Sequence, residues 1–487
     1  MTLFYFALPT PLFRSPTSFV IEDSEGNLLG ASIAGDGQWR FPATDAVPDK
    51  FAKCIVLFED KRFYFHPGVD PIALARAIWQ NVAGRRVVSG GSTISMQVIR
   101  MSRNRPRTVW QKIVEAFLAI RLEAGYSKAA ILRLYSANAP FGSNVVGLDA
   151  AAWRYFGRTP AQLSWAETAT LAVLPNAPAL IHPGRNRALL LAKRNALLER
   201  LAATGSIDRS TADLAKLEPL PDKPHPLPRL APHLLERFKK EYRQLDMAVT
   251  RIETSIDGDL QRQVADIVDR YHRNLSANGI HNAAALVLDV ETGQALAYVG
   301  NVHSPQTPEA ESHVDMLTAL RSPGSTLKPL LYAAMLADGL ILPHTLIPDI
   351  PTQIGGYTPQ NYDLGYDGAI PASRALSRSL NIPAVKMLQQ YRYQRFHPFL
   401  RRMGIHTLTR PADFYGLSMI LGGCEVTPWE LAGTYASMAR TLNHYRRYDA
   451  NYSPADYHPP SYLKNATASP EKATERASVI DHASLYF

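Results

Sequence analysis

Residues 217–232 constrain this chain more than any other stretch. Prolines stand at 219, 221, 224, 226, 228 and 232. A proline fixes φ and lacks an amide hydrogen, so no helix interior or central strand runs through such a segment. It reads as a linker with a separate core on either side. The length of 487 residues agrees, because it exceeds what one hydrophobic core serves.

The two sides carry different periodicities. Between residues 51 and 205 the pattern is helical almost throughout. Asp70-Pro71 is an N-cap with proline at the first helical position, and Gly84 is placed to end that helix. Apolar residues at 110, 113, 114, 117, 118 and 120 form a helical stripe. Ser127 can cap the helix that runs through Ile131, Leu132 and Leu134. Ser164 and Glu167 form a capping box for a helix stopped by Pro175. Residues 19–33 alternate and turn at Gly26-Asn27, a short hairpin. Past the linker, Asp257 is a candidate cap for a helix to Leu275. Residues 283–290 read as a buried strand, Glu291-Thr292-Gly293 as a turn and residues 294–300 as a second strand, opening an α/β domain. After Arg440 the chain turns to tyrosine, proline, serine and charge without sustained periodicity, a tail expected to pack poorly.

Hydrophobic content of 46% and charged content of 20% exclude a disordered or fibrous chain. The formal charge of +9 favours an anionic partner, such as lipid head groups or a pyrophosphate. No zinc-ligand spacing or RNA-recognition signature accompanies that charge, so nucleic acid is not the expected partner. Cys54 and Cys424 are the two cysteines, too few for a metal cluster. Residues 1–13 are apolar but carry Pro9 and Pro11, and fall short of the roughly 20 residues of a spanning helix.

Three motifs precede the linker. Glu59-Asp60-x-x-Phe63-x-x-His66-x-Gly68 comes first. Gly90-Gly91-Ser92-Thr93-Ile94-Ser95-Met96-Gln97 follows, and then Lys112-x-x-Glu115-Ala116. The glycines permit a tight turn, Ser92 or Thr93 can cap the next helix, and free amides at a helix start favour an anion. Taken in order, the three resemble the bacterial peptidoglycan glycosyltransferases. Beyond the linker, Arg321-Ser322-Pro323-Gly324-Ser325-Thr326-Leu327-Lys328-Pro329 and Ser379-Leu380-Asn381 resemble the penicillin-binding transpeptidases, and Leu421-Gly422-Gly423 and Val426-Thr427-Pro428 continue the likeness. Together they resemble a bifunctional class A penicillin-binding protein over roughly residues 15–440. The run Ala139-Pro140-Phe141-Gly142 has the form shown by the 1C kind, and Met96 replaces a usual glutamine.

The resemblance implies a mainly α, lysozyme-like glycosyltransferase domain over 46–215. A residual anchor and juxtamembrane segment over 1–45 would precede it, and a linker region over 216–275 would follow. An incomplete α/β, β-lactamase-like transpeptidase domain would fill 276–487. In the first domain Glu59 is the expected general base on the acceptor sugar's 4-hydroxyl, its pKa raised by burial beside Phe63 and Phe65. Glu115 would assist near the donor phosphates, where the resemblance leaves room for a divalent cation, Mg²⁺ or Mn²⁺, without requiring one. Arg100 and Lys112 would neutralise the pyrophosphate, and Ser92, Thr93 and Gln97 would hydrogen-bond it. Asp60 and His66 have an equally good structural reading, as cap and turn residues.

In the second domain Ser325 and Lys328 are three apart, one helical turn, so that the amine can take the serine proton. Ser379 and Asn381 would complete the peptide site. No Lys-Thr-Gly follows Asn381 in the sequence, so transpeptidase activity and penicillin binding are expected to be impaired and the half poorly folded. The expected partners are lipid II, the growing glycan strand and the periplasmic face of the bacterial inner membrane. The alternatives are a non-catalytic remnant that binds peptidoglycan or partners, and a lysozyme-like hydrolase. The basic phosphate-binding set argues against the hydrolase, which has no pyrophosphate to stabilise.

Overall fold

The computed structural model describes residues 7–83, 91–106, 108–176, 184–245, 249–302, 310–447, 449–465, 474–477 and 479–487. The chain divides into two compact units. The first comprises residues 1–22, 27–229 and 238–252; the second, 23–26, 230–237 and 253–487.

The first unit is helical: α1 (Asp49–Glu59), α2 (Pro71–Ala83), α3 (Ile94–Arg103), α4 (Val109–Gly125), α5 (Lys128–Asn138), α6 (Leu148–Phe156), α7 (Trp165–Val173), α8 (Arg187–Ala203) and α9 (Arg209–Leu217). Their starts are written in the sequence. Asp70 accepts from the amides of Ile72 and Ala73, Thr108 from Gln111 and Ser127 from Ala130. Ser164 and Glu167 make both bonds of the capping box. Gly84 and Gly90 lie outside the described residues.

Helix α1 packs on α7 and α8, and α3 packs on α4 and α5. Between them Phe51, Ile55, Phe63, Ile94, Val98, Leu122 and Ile131 form the core. Leu12 is buried in the same core. The expected hairpin appears as β1 (Val20–Glu22) antiparallel to β2 (Leu28–Ala31). Two short parallel strands, β3 (Trp39–Arg40) and β4 (Val145–Val146), complete the first part of the unit. Among the described residues no helix is long and apolar enough to cross a membrane. The stretch expected as a linker holds more than a tether, since it contains α10 (Pro232–Leu245), strand β5 (Arg251–Glu253) and most of α11 (Gly258–Ser276), which Asp257 caps.

The second unit mixes helices and short strands. β6 (Ala285–Leu288) pairs antiparallel with β7 (Ala295–Val299), and β8 (Leu346–Asp349) with β9 (Gly368–Pro371). The helices that matter for the site are α12 (Lys328–Ala337), α13 (Ala372–Ser377), α14 (Asn381–Tyr391), α15 (Tyr393–Arg402), α16 (Ala412–Tyr415), α17 (Pro428–Arg447) and α18 (His482–Tyr486). Leu327, Leu331, Met335, Val385, Leu388, Phe396 and Leu400 form one buried cluster.

Two expectations need correction here. The strand expected over 283–290 is shorter and half-buried rather than buried, because among the described residues β7 is its sole ladder partner. The tail expected to pack poorly does pack. Ile480 is 1% exposed and joins the core cluster, and Tyr452 and Tyr462 are buried. Ser461 and Leu463 bridge to Gln294 and Thr254, and His444 joins Asp456 at 2.6 Å and Glu291 at 3.0 Å. Prolines erase periodicity without preventing an irregular segment from laying single apolar side chains on a neighbour.

Candidate active sites

Helix α1 ends at Glu59, and the residues after it build a clamp. Asp60 accepts from His66 Nε2 at 3.0 Å and from the Ile94 amide at 3.0 Å. The Gly68 amide donates to His66 Nδ1, so the ring proton sits on Nε2, facing Asp60. Thr93 caps α3 by accepting from the Met96 amide, and its hydroxyl donates to the Gly68 carbonyl at 2.6 Å. At φ +100° Gly68 lies so close to α4 that a Cβ would stand 2.5 Å from the Ala119 oxygen. Asp60, His66 and Thr93 thus tie the end of α1 to the start of α3, which is the structural reading of Asp60 and His66. The Thr93 hydroxyl is engaged inside the chain. Ser92, beside it, is half-buried.

The clamp fixes Gln97, one turn into α3. Gln97 Nε2 donates to Glu59 Oε2 at 2.7 Å. Glu59 Oε1 is buried and has no hydrogen-bond partner among the described residues. Burial raises the Glu59 pKa above its ordinary value, while the amides of Gln97 and Asn176 and the charges of Arg100 and Lys193 pull it down. Phe63 is buried in the core below, but Phe65 is 86% exposed and contributes nothing to that burial.

Arg100, expected at the pyrophosphate, stands where its charge also acts on Glu59. Lys112 is exposed on α4, and Glu115 is buried one turn further on. The structure therefore joins Glu59, Gln97 and Arg100 in one spot. It adds Asn176, Lys193 and Tyr135, which the sequence reading did not single out. Lys193 Nζ donates to Asn176 Oδ1 at 2.8 Å, linking α8 to the turn after Pro175. Tyr135 extends the buried stripe of Ile131 and Leu132 on α5, a pattern that signals burial but not a place in the site. Among the described residues no group of three or more His, Cys, Asp or Glu side chains is placed to hold a metal ion.

In the second unit Ser325 is exposed, in a 3₁₀ turn (Gly324–Leu327) that leads into α12. Lys328 opens α12 and is 2% exposed. Its Nζ donates to the Ser379 carbonyl at 2.6 Å, to Asn381 Oδ1 at 2.8 Å and to Ser379 Oγ at 3.2 Å. Burial lowers its pKa to about 8. The structure thus unites three of the four expected residues. No hydrogen bond joins Ser325 to Lys328 among the described residues. Leu421-Gly422-Gly423 backs the serine turn: Ser322 Oγ donates to the Gly422 carbonyl at 2.8 Å, and a Cβ on Gly422 would lie 2.8 Å from Gly324.

Asn361 was missed. It is 2% exposed, and its Oδ1 accepts from the amides of Asn381 and Ile382 at the start of α14. Its Nδ2 donates to buried Asp349 and to the Gly365 carbonyl. Asn361 therefore sets the helix end from which Asn381 reaches Lys328. A single asparagine within 360–367 gives no sequence signal for that role.

Both units match known families, in the order that defines a two-part penicillin-binding chain. Residues 26–202 match the Transglycosylase family, and residues 283–475 match the Penicillin binding protein transpeptidase domain. Penicillin-binding protein 1C of Escherichia coli is 38% identical over 433 residues, covering 89% of this chain and 55% of that protein. Penicillin-binding protein 1F of Bacillus subtilis is 29% identical over 413 residues, 81% of this chain and 56% of that one. A crystal structure of penicillin-binding protein 1A from Haemophilus influenzae aligns with TM-score 0.43 and 18% identity over 87% of this chain and 68% of that one. The chain belongs to the class A penicillin-binding proteins. It spans little more than half the length of the first two relatives.

Proposed function

We propose that the first unit is a peptidoglycan glycosyltransferase that polymerises lipid II into glycan strands and releases undecaprenyl pyrophosphate. The observation that carries this reading is the Glu59 carboxyl, buried on one oxygen, held by Gln97 on the other and lying within reach of the Arg100 charge. In the reaction Glu59 takes the proton of the acceptor's 4-hydroxyl as that oxygen bonds to the donor's anomeric carbon. The bond from that carbon to the diphosphate breaks, and its electrons leave on the diphosphate oxygen. Arg100, in the last turn of α3, and Lys112, in the first turns of α4, offset the charge that develops there, and Ser92, before the start of α3, donates a hydrogen bond to it.

The exposed apolar face of α4, with Val109, Trp110, Ile113 and Phe117, and exposed Ile72 and Trp79 on α2, supports docking on the bacterial inner membrane from the periplasmic side, where lipid II is carried. The second unit is a serine acyl-transfer site for peptidoglycan peptides and penicillin-type ligands, slowed in this chain to the extent that Ser325 must first close on Lys328.

Polymerisation of labelled lipid II by the parent and by Glu59→Gln tests the first reading. The parent makes glycan strands, and the variant loses roughly 10²–10⁴-fold in rate. A folded Glu59→Gln protein with the parent's rate overturns the assignment.

A further inference from the structure

Tyr135 is a large side chain with nothing to justify its hydroxyl. The residue is 1% exposed, and its oxygen has no hydrogen-bond partner among the described residues. A buried hydroxyl left unpaired is costly, and phenylalanine would fill the same space without that cost. Tyr135 sits on α5, which packs against α3, the helix whose Gln97 holds Glu59. The charges of Glu59 and Arg100 both act on it. Glu59 Oε1 is the second buried polar atom in this spot without a partner. The two are complementary, since one is a donor and the other an acceptor.

We infer that Tyr135 is a positioning residue for Glu59, its hydroxyl donating to Oε1 in the substrate-bound enzyme while Gln97 holds Oε2. Catalytic hydrogen bonds are often long in a free enzyme and close when substrate is bound. With both oxygens held, the carboxylate cannot rotate away from the acceptor hydroxyl, and the bond favours the ionised form that can accept a proton. The inference rests on the glycosyltransferase reading and deepens it.

Tyr135→Phe separates this role from simple packing. Because the hydroxyl is unpaired in the free protein, the variant keeps the parent's Tm or exceeds it. It also binds a phosphoglycolipid donor analogue as tightly as the parent. Its kcat for lipid II polymerisation falls about tenfold or more, the scale of a lost hydrogen bond to a charged group. The acid limb of its pH–rate profile moves upward by about one unit, because ionised Glu59 has lost a donor. A parent-like rate and pH profile overturn the inference, and so does a fall in Tm accompanied by loss of analogue binding, which would make Tyr135 a packing residue. Glu59→Gln is measured alongside. If that variant polymerises normally, the glycosyltransferase reading fails and takes this inference with it. If it is inactive and Tyr135→Phe is unimpaired, only the inference falls.

Discussion

Each unit buries one ionisable group at its site and pushes it toward neutrality, but the two groups are held differently. Burial raises the Glu59 carboxyl and lowers the Lys328 amine to about 8. Glu59 has one oxygen bonded to Gln97 and one unpaired. Lys328 spends its hydrogens on Ser379 and Asn381 and none on Ser325. The carboxylate can take a proton on its open oxygen, whereas Lys328, with its pKa lowered only to about 8, must first lose its own proton before its lone pair can take the one on Ser325. A shifted pKa does not by itself make a site ready; the base must also be unprotonated and within hydrogen-bond reach of the group it serves.

The largest effect that could break this contrast is at Ser325. The hydroxyl must move to reach Lys328, and a misplacement of about 1 Å can cost 10²-fold. Fluorescent penicillin followed on a denaturing gel is expected to label this chain slowly or not at all. Rapid labelling that disappears in Ser325→Ala would contradict the contrast.

Asn361→Ala sharpens the comparison from the other side. It strips the amides of Asn381 and Ile382, and Asp349, of a buried partner, and each orphaned group costs about 1–3 kcal/mol. Stability of the second unit should fall by roughly 2–4 kcal/mol in chemical denaturation, with lipid II polymerisation unchanged. Coupled loss of polymerisation would show that the first site depends on the second unit.

Arg100→Ala and Lys112→Ala test the first site's electrostatics. Each should cost roughly 1.5–3 kcal/mol in turnover, with parallel weakening of phosphoglycolipid binding. The loss should be smaller for exposed Lys112, where water screens the charge. Unchanged inhibitor binding in both variants would make them ordinary surface charges.

The first unit was the more legible in the sequence because its signals are local. Asp70, Thr108, Ser127 and Ser164 each cap a helix within three residues of themselves, so spacing alone reveals them. The bond between Glu59 and Gln97 was not legible: the resemblance put Gln97 at the pyrophosphate, 38 positions separate the two, and no periodicity joins them. Asn176, Lys193 and Tyr135 were not visible as site residues, because they arrive from three later elements and carry no motif of their own. In the second unit the tail misled for the opposite reason. Its order comes from isolated bridges and single contacts such as Ile480 in the core, which leave no repeating pattern.

If Glu59 is the base of polymerisation, the pH dependence of the parent's rate carries its titration. A raised carboxyl holds its proton more tightly in the folded state than in the unfolded one. Its contribution to stability is therefore complete at low pH and is lost as pH rises through the raised value. Catalysis runs the other way, because only the ionised form accepts a proton. Lipid II polymerisation should therefore rise with pH along an acid limb whose midpoint lies above the roughly 4.3 of an ordinary glutamate, and that limb should vanish from the residual rate of Glu59→Gln. A limb at the ordinary value, or the same limb in the variant, would contradict the account.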